Sequence, residues 1–143
     1  MLENNILFRP VVREDLDQLF PLLEQLTGMD YHNRDKDECW ELFNTNTAIN
    51  SIVGVIDNKI VTYGSIIIEN KIHGSISGHI EDIVVDQDFR GQNIGIELIN
   101  ELVKIGETKG CYRITLFCKD HLVDFYSKNG FAVNNLTMKK FIK

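Results

Sequence analysis

The residues best placed to do chemistry are gathered in Gly78-His79-Ile80-Glu81-Asp82-Ile83-Val84-Val85-Asp86-Gln87-Asp88-Phe89-Arg90-Gly91-Gln92-Asn93-Ile94-Gly95. Ile80 to Val85 is largely β-branched, as a strand requires, and carries Glu81 and Asp82 in mid-run. Asp86-Gln87-Asp88 stops that strand, and from Ile94 the apolar residues Leu98, Ile99, Leu102 and Val103 recur at helical spacing. A strand that passes through a glycine-bearing loop into a helix start presents unpaired backbone N–H groups and the positive end of the helix dipole, which together suit a phosphate. Gly91 and Gly95 permit close backbone approach, and Arg90 adds a positive charge. Neither the Walker A spacing nor the three-glycine dinucleotide fingerprint is present, so taken alone Arg90–Gly95 reads as an ordinary turn. Glu81 and Asp82 are neighbours, so a regular strand sends them to opposite faces unless a bulge intervenes.

The elements that must hold this stretch follow from the rest of the chain. Ile6 to Arg9 predicts a first strand, closed by Pro10. Arg13-Glu14-Asp15 opens a helix with an apolar stripe of Leu16, Leu19, Phe20, Leu23 and Leu26, in which Pro21 predicts a kink or break and Gly28 the end. Asp35 is placed to cap a second helix containing Cys39, Trp40, Leu42 and Phe43, and Asn44 to Asn50 reads as a loop. Strands are expected at 52–56 and 60–68, turning at Asp57-Asn58, and at 76–85 after the turn Lys71-Ile72-His73-Gly74. The helix after the glycine loop extends to about Lys109 and stops at Gly110. A strand over 111–117, a short helix over 120–128 and a last strand from Phe131 to Ile142 complete the chain. The expected class is α+β: a mixed, mostly antiparallel sheet flanked by helices, forming one domain over residues 1–143.

Composition narrows the partners. A formal net charge of −6 and a pI near 5.1 argue against nucleic acid or an anionic membrane as the main partner. No apolar run is long enough for membrane insertion and the N-terminal residues carry no signal pattern, so a cytoplasmic location is expected. Cys39, Cys111 and Cys118 have no paired spacing and read as reduced, mostly buried thiols. The four histidines make no metal-ligand pair, and no metal is expected.

The glycine loop resembles the pyrophosphate-binding segment of the GNAT acyltransferases, with Arg90 and Gly95 matching and Asn93 standing where glycine is commonest; Asn tolerates the left-handed backbone such a turn needs. With Gly78–Val85, Gly110-Cys111-Tyr112-Arg113-Ile114-Thr115-Leu116 and Val123-Asp124-Phe125-Tyr126-Ser127-Lys128-Asn129-Gly130-Phe131, the chain closely resembles one GNAT family, the glucosamine-6-phosphate N-acetyltransferases. The likeness runs from about Ile66 to Phe131, and more weakly back to Leu26-Thr27 and Arg9. It implies acetyl transfer from acetyl-CoA to the 2-amino group of D-glucosamine 6-phosphate, feeding UDP-N-acetylglucosamine synthesis. It also implies a homodimer with substrate sites near the subunit interface.

On this resemblance, backbone groups of Ile83, Val84 and Val85 hold the pantetheine arm and acetyl oxygen, and Gly91, Gln92, Asn93, Ile94, Gly95 and Ile96, with Arg90, hold the pyrophosphate. Tyr126 contacts the sulfur and protonates the thiolate. Glu81 or Asp82 orients the sugar, Glu81 being the better placed to take the amine proton through water. Thr27, Lys71, His73, Tyr112 and Arg113 line the sugar phosphate site, with Lys140 as the phosphate-binding cation of the C-terminal stretch. Three departures stand out. Phe117 replaces a carboxylate at the reacting centre, Leu122 replaces a cofactor-contacting Asn, and Ile96 replaces a Lys. Phe117 motivates a second reading, an N-acetyltransferase acting on another small primary amine. A third is a domain that binds acetyl-CoA without turnover.

Overall fold

A computed structural model describes residues 5–142, so residues 1–4 and 143, the ends of the expected domain, lie outside the described residues. Five strands form one sheet: β1 (Leu7–Pro10), β2 (Ile49–Ile56), β3 (Lys59–Asn70), β4 (Ile76–Val85) and β5 (Arg113–Leu116), side by side in chain order. The first four are antiparallel; β5 runs parallel to β4. Parallel neighbours need a crossover, supplied here by α3 (Ile94–Thr108). Helices α1 (Leu16–Thr27), α2 (Lys36–Asn44) and α4 (Val123–Lys128) complete the expected α+β architecture.

Local chemistry explains most of these boundaries. Asp57 and Asn58 both take positive φ, 48° and 65°, as a two-residue hairpin of the mirror-image type demands. The Asp35 carboxylate accepts the Glu38 N–H at 3.1 Å and caps α2. Gly28 closes α1 in the left-handed conformation.

The core lies on both faces of the sheet. Leu16, Leu19 and Leu22 of α1 pack on Val53, Ile60, Tyr63 and Val84. On the other face Leu98, Ile99 and Leu102 of α3, with Tyr126 of α4, pack on Ile52, Ile66, Ile68 and Ile80. Adjacent residues Ile52 and Val53 thus feed different cores, as strand alternation requires.

Several expectations are corrected. Pro21 does not break its helix: α1 runs unbroken from Leu16 to Thr27. An interior proline costs about 3 kcal/mol, whereas burying Leu16, Leu19 and Leu22 contributes about 1.5–3 kcal/mol each, and Pro21 itself faces solvent. The Asn44–Asn50 loop ends early, because β2 already begins at Ile49 opposite Ile67. The strand expected over 111–117 is confined to Arg113–Leu116. No strand forms over Phe131–Ile142: this stretch is irregular, with Val133, Leu136, Met138, Phe141 and Ile142 all more than three-quarters exposed. A strand needs a paired neighbour, and this segment pairs with none of the five strands. Cys118 is exposed and Cys39 and Cys111 only half-buried, so the thiols are less sheltered than their apolar neighbours suggested.

Candidate active site

The β4–β5 seam opens part-way along its length. Its register is Ser77↔Arg113, Gly78↔Ile114, His79↔Thr115 and Ile80↔Leu116, and there the pairing stops while β4 continues to Val85. From Glu81 onward the backbone N–H and C=O groups on this side of β4 have no strand to pair with, which leaves a slot walled by Glu81–Val85 and by the chain following Leu116.

A bulge sits at the mouth of the slot. Tyr63 lies opposite Val84 but Ser65 lies opposite Glu81, so β4 carries one more residue than β3 between these pairs. Asp82 absorbs it at a φ of 56°. The bulge answers the question of faces: Glu81 shares a face with His79, whose Nε2 is 3.5 Å from its Oε1, while Ile83 turns toward α3 and Val84 toward α1. Opposite, Gly64 leaves room for Ile83: a Cβ there would lie 2.6 Å from Ile83 Cδ1, and that side chain would have to shift.

Beyond β4 the chain is tied down before it turns. The Asp86 N–H donates to the Val61 carbonyl at 2.7 Å, and its carboxylate accepts the Asp88 N–H at 3.0 Å. Burial pushes the Asp86 carboxyl up, but the Asp88 N–H and the Lys59 ammonium outweigh it and hold its pKa below the ordinary value. Arg90 Nε donates to the Val85 carbonyl at 3.3 Å. Gly91 takes a φ of 82°, and Asn93 takes the left-handed conformation expected of it, at 63°. Asn93 caps α3 without a side-chain hydrogen bond. The N–H groups of Ile94, Gly95 and Ile96 therefore point out of the first turn unclaimed. This cradle fits a diphosphate: free donors, a helix dipole, and no side chain at Gly91 to obstruct approach.

Helix α4 closes the floor. A Cβ on Gly95 would lie 3.8 Å from both Phe125 Cζ and Val85 Cγ2, so the glycine loop, α4 and the end of β4 meet at this point. Tyr126 is buried between Phe125 and Phe131, edge-on to each. Burial, then the nearby Cys118 thiol, push its phenol above the ordinary range. A phenol so placed stays protonated and can donate. Thr27 reaches the same end of the sheet, because Gln25 Oε1, two residues earlier, accepts the Gln87 N–H at 3.0 Å; Thr27 itself bonds Tyr31 at 2.7 Å.

One end of the sheet thus gathers Glu81, Asp82, Ile83, Val84, Val85, Arg90 to Ile96, Tyr126 and Thr27. The remaining residues chosen from sequence are not brought there. Lys71 and His73 sit in the β3–β4 turn, at least five residues of extended chain, about 16 Å, below Glu81. Lys71 pairs with Glu69 at 3.1 Å, and His73 Nδ1 accepts the Ser75 N–H at 3.4 Å. Arg113, beside Tyr112 with its guanidinium 5.3 Å from that ring, is level with Ser77, and Lys140 lies in the exposed C-terminal stretch. Sequence reasoning passed over His79 and Thr115, bonded at 2.8 Å, and the buried cluster of Ser51, Ser65 and Tyr63 beneath the bulge. The signal for His79 was its position two residues before Glu81 in a strand.

A hollow of about 520 Å³ between α2 and α3, lined by Trp40, Phe43, Ile52 and Lys104, contains none of the slot residues. Another of about 350 Å³ lies against Tyr112, Arg113 and Phe131. No helix of the described residues is long and apolar enough to cross a membrane.

A parted parallel pair beside an uncapped helix start is the framework of an acyl-CoA-dependent acyltransferase, and residues 12–131 match the acetyltransferase (GNAT) family. The chain belongs to that family. Within it, the chain is 32% identical over 148 aligned positions to glucosamine 6-phosphate N-acetyltransferase 1 of Dictyostelium discoideum, spanning 99% of this chain and 94% of the relative. The crystal structure of glucosamine-6-phosphate N-acetyltransferase from Arabidopsis thaliana superposes with a TM-score of 0.88 at 28% identity, covering 97% of this chain and 99% of that one. An acetyltransferase of Trypanosoma brucei superposes with a TM-score of 0.89, also at 28% identity, over 96% and 100% of the two chains.

Proposed function

We propose that the protein transfers the acetyl group of acetyl-CoA to the 2-amino group of D-glucosamine 6-phosphate, giving N-acetylglucosamine 6-phosphate and CoA. The observation that carries this reading is the slot between β4 and β5 leading to the uncapped start of α3. It accommodates an extended thioester arm with its diphosphate at one end. The similarity to glucosamine 6-phosphate N-acetyltransferases over nearly the whole chain supports the choice of amine.

The residues divide the work as follows. Arg90 and the N–H groups of Gly91 to Ile96 hold the diphosphate. Unpaired backbone groups of Ile83, Val84 and Val85 align the pantetheine arm and donate to the acetyl oxygen, where negative charge gathers as the amine nitrogen bonds to the carbonyl carbon. Glu81 takes the proton the amine gives up, through water, while Asp82 orients the sugar. Tyr126 gives its phenolic proton to the departing thiolate; solvent restores it. Thr27 contacts the sugar.

Lys71, His73, Tyr112, Arg113 and Lys140 supply the cations and hydrogen bonds for the sugar phosphate. In one chain they stand away from the slot, which supports a homodimer in which they serve the partner's site. The unpaired outer edge of β5 and the exposed apolar C-terminal stretch support the same arrangement. The chain is read as one domain over 1–143, in the cytoplasm, acting without metal or nucleic acid.

A second reading rests on Phe117, a residue 65% exposed beside the slot with its ring centroid 4.5 Å from that of His79. An apolar wall there suits a less charged primary amine. CoA release measured across a panel of amines decides the matter. Preference for glucosamine 6-phosphate supports the proposal, and equal or better turnover of an uncharged amine overturns it.

A further inference from the structure

Among the described residues, one buried side-chain polar atom lacks a hydrogen-bond partner: Nε2 of His79. Its surroundings are ordered. On one side of the ring, Nδ1 lies 2.8 Å from Thr115 Oγ1 across the last paired rungs of the seam. The Phe117 ring leans on the imidazole, with centroids 4.5 Å apart at 60°, and Nε2 itself is closed off from solvent. In front of Nε2 stands Glu81 Oε1 at 3.5 Å, within reach of an ion pair but too long for a good hydrogen bond. Glu81 is 43% exposed at its side chain and free to close that gap.

We infer that His79 is a positioning residue for Glu81, an inference that rests on the role proposed above for that carboxylate. A lone pair on Nε2 would face a carboxylate oxygen, acceptor against acceptor. The Thr115 hydroxyl avoids this by donating to Nδ1, which places the ring proton on Nε2. The Nε2–H then donates to Oε1 of Glu81. That contact fixes the carboxylate in one rotamer and leaves Oε2 to accept the amine proton. The proton moves from the amine nitrogen through water to Oε2 and later to solvent; His79 keeps its own proton throughout, and no electrons are exchanged.

Steady-state kinetics with acetyl-CoA and glucosamine 6-phosphate test this on His79→Asn, His79→Gln, Thr115→Val, Glu81→Gln and the double variant His79→Asn with Glu81→Gln. An Asn amide reaches the place of Nδ1 but not that of Nε2. His79→Asn is expected to lose about tenfold in kcat, less than the loss of the proton acceptor itself, with KM for acetyl-CoA unchanged. His79→Gln, whose amide reaches toward Glu81, recovers most of that loss. Thr115→Val, which keeps the imidazole but frees its tautomer, falls between His79→Asn and wild type. The double variant is no slower than Glu81→Gln alone. His79→Asn at the wild-type rate, equal losses in the Asn and Gln variants, or losses that multiply in the double variant each overturn the inference. If Glu81→Gln is slow while His79→Asn and Thr115→Val match wild type, only the positioning role falls. If Glu81→Gln keeps full activity, the proposed role of Glu81 falls with it.

Discussion

The two ends of β4 are built on different principles. At the Val85 end, the recognition proposed is by backbone: a parted seam, a bulge and an uncapped helix start, all within residues 81–96. At the Ile76 end, the residues assigned to the sugar phosphate are side chains on separate elements, Lys71 and His73 in a turn, Tyr112 and Arg113 beside β5, Lys140 near the C-terminus. A diphosphate and a pantetheine arm are the same in every acetyl-CoA, so a contiguous run of amides suffices to bind them. An amine acceptor must be told apart from others, which falls to side chains that each chain disposes differently. The residues proposed for the first end lie together in a single chain; those proposed for the second do not.

The most severe test of this division is at Tyr126. Tyr126→Phe keeps the edge-on packing with Phe125 and Phe131 but removes the proton for the thiolate. Its kcat is expected to fall about 100-fold while calorimetry finds the acetyl-CoA Kd unchanged; a weakened Kd would mean the phenol serves the fold. Next in size is the glycine loop. Asn93→Val forces a β-branched residue into a left-handed conformation costing about 1–2 kcal/mol, so acetyl-CoA binding weakens about tenfold. Asn93→Gly retains it. If both bind alike, the geometry at Asn93 is not what holds the diphosphate.

A smaller signal tests the unfinished end. Glu81→Gln and Arg113→Ala, each expected to be strongly slowed alone, are unfolded and refolded together. If Arg113 serves the partner's slot, mixed dimers restore about a quarter of wild-type activity; no recovery places both residues in one chain's site. Smallest in its effect on catalysis is a change remote from both ends. Asp15 is buried, takes bonds from Arg9 at 2.7 and 2.8 Å and from the Val12 N–H at 2.9 Å. The Arg9 hydrogen bond chiefly holds its carboxyl below the ordinary 3.8. Asp15→Asn is expected to cost about 2 kcal/mol of stability with kcat unchanged. Because the folded pKa is the lowered one, this contribution is full above pH 3.8 and is lost as pH falls through the folded value. The Tm gap between wild type and variant therefore narrows in acid; a gap constant with pH would assign the loss to packing.

The same contrast explains what could be read from the amino acids. β4 was legible to the residue, since Ile76–Val85 is both strongly β-branched and bounded by turn chemistry. The hairpin at Asp57-Asn58, the cap at Asp35 and the left-handed Asn93 were legible too, because each is a local demand met by a local residue. Pro21 misled because tertiary burial of three leucines overrides a local penalty. The segment from Phe131 to Ile142 misled because residue types show that a stretch suits a strand, not that it pairs with one. His79 was missed since its meaning comes from Thr115 and Phe117, thirty-six and more positions away in sequence.

The extra residue at Asp82 has a consequence for how such a chain can change. Upstream of it, Ile80 faces α3; downstream, Ile83 does so and Val84 turns to α1. Deleting Asp82 would restore regular alternation with Ile83 and Val84 still on their own faces, so the hydrophobic layers would survive while the bulge at the mouth of the slot would be lost. A change of length at this point would therefore cost the bulge rather than the core. Lineages built on this strand are expected to vary their chemistry by exchanging side chains and to leave its count alone.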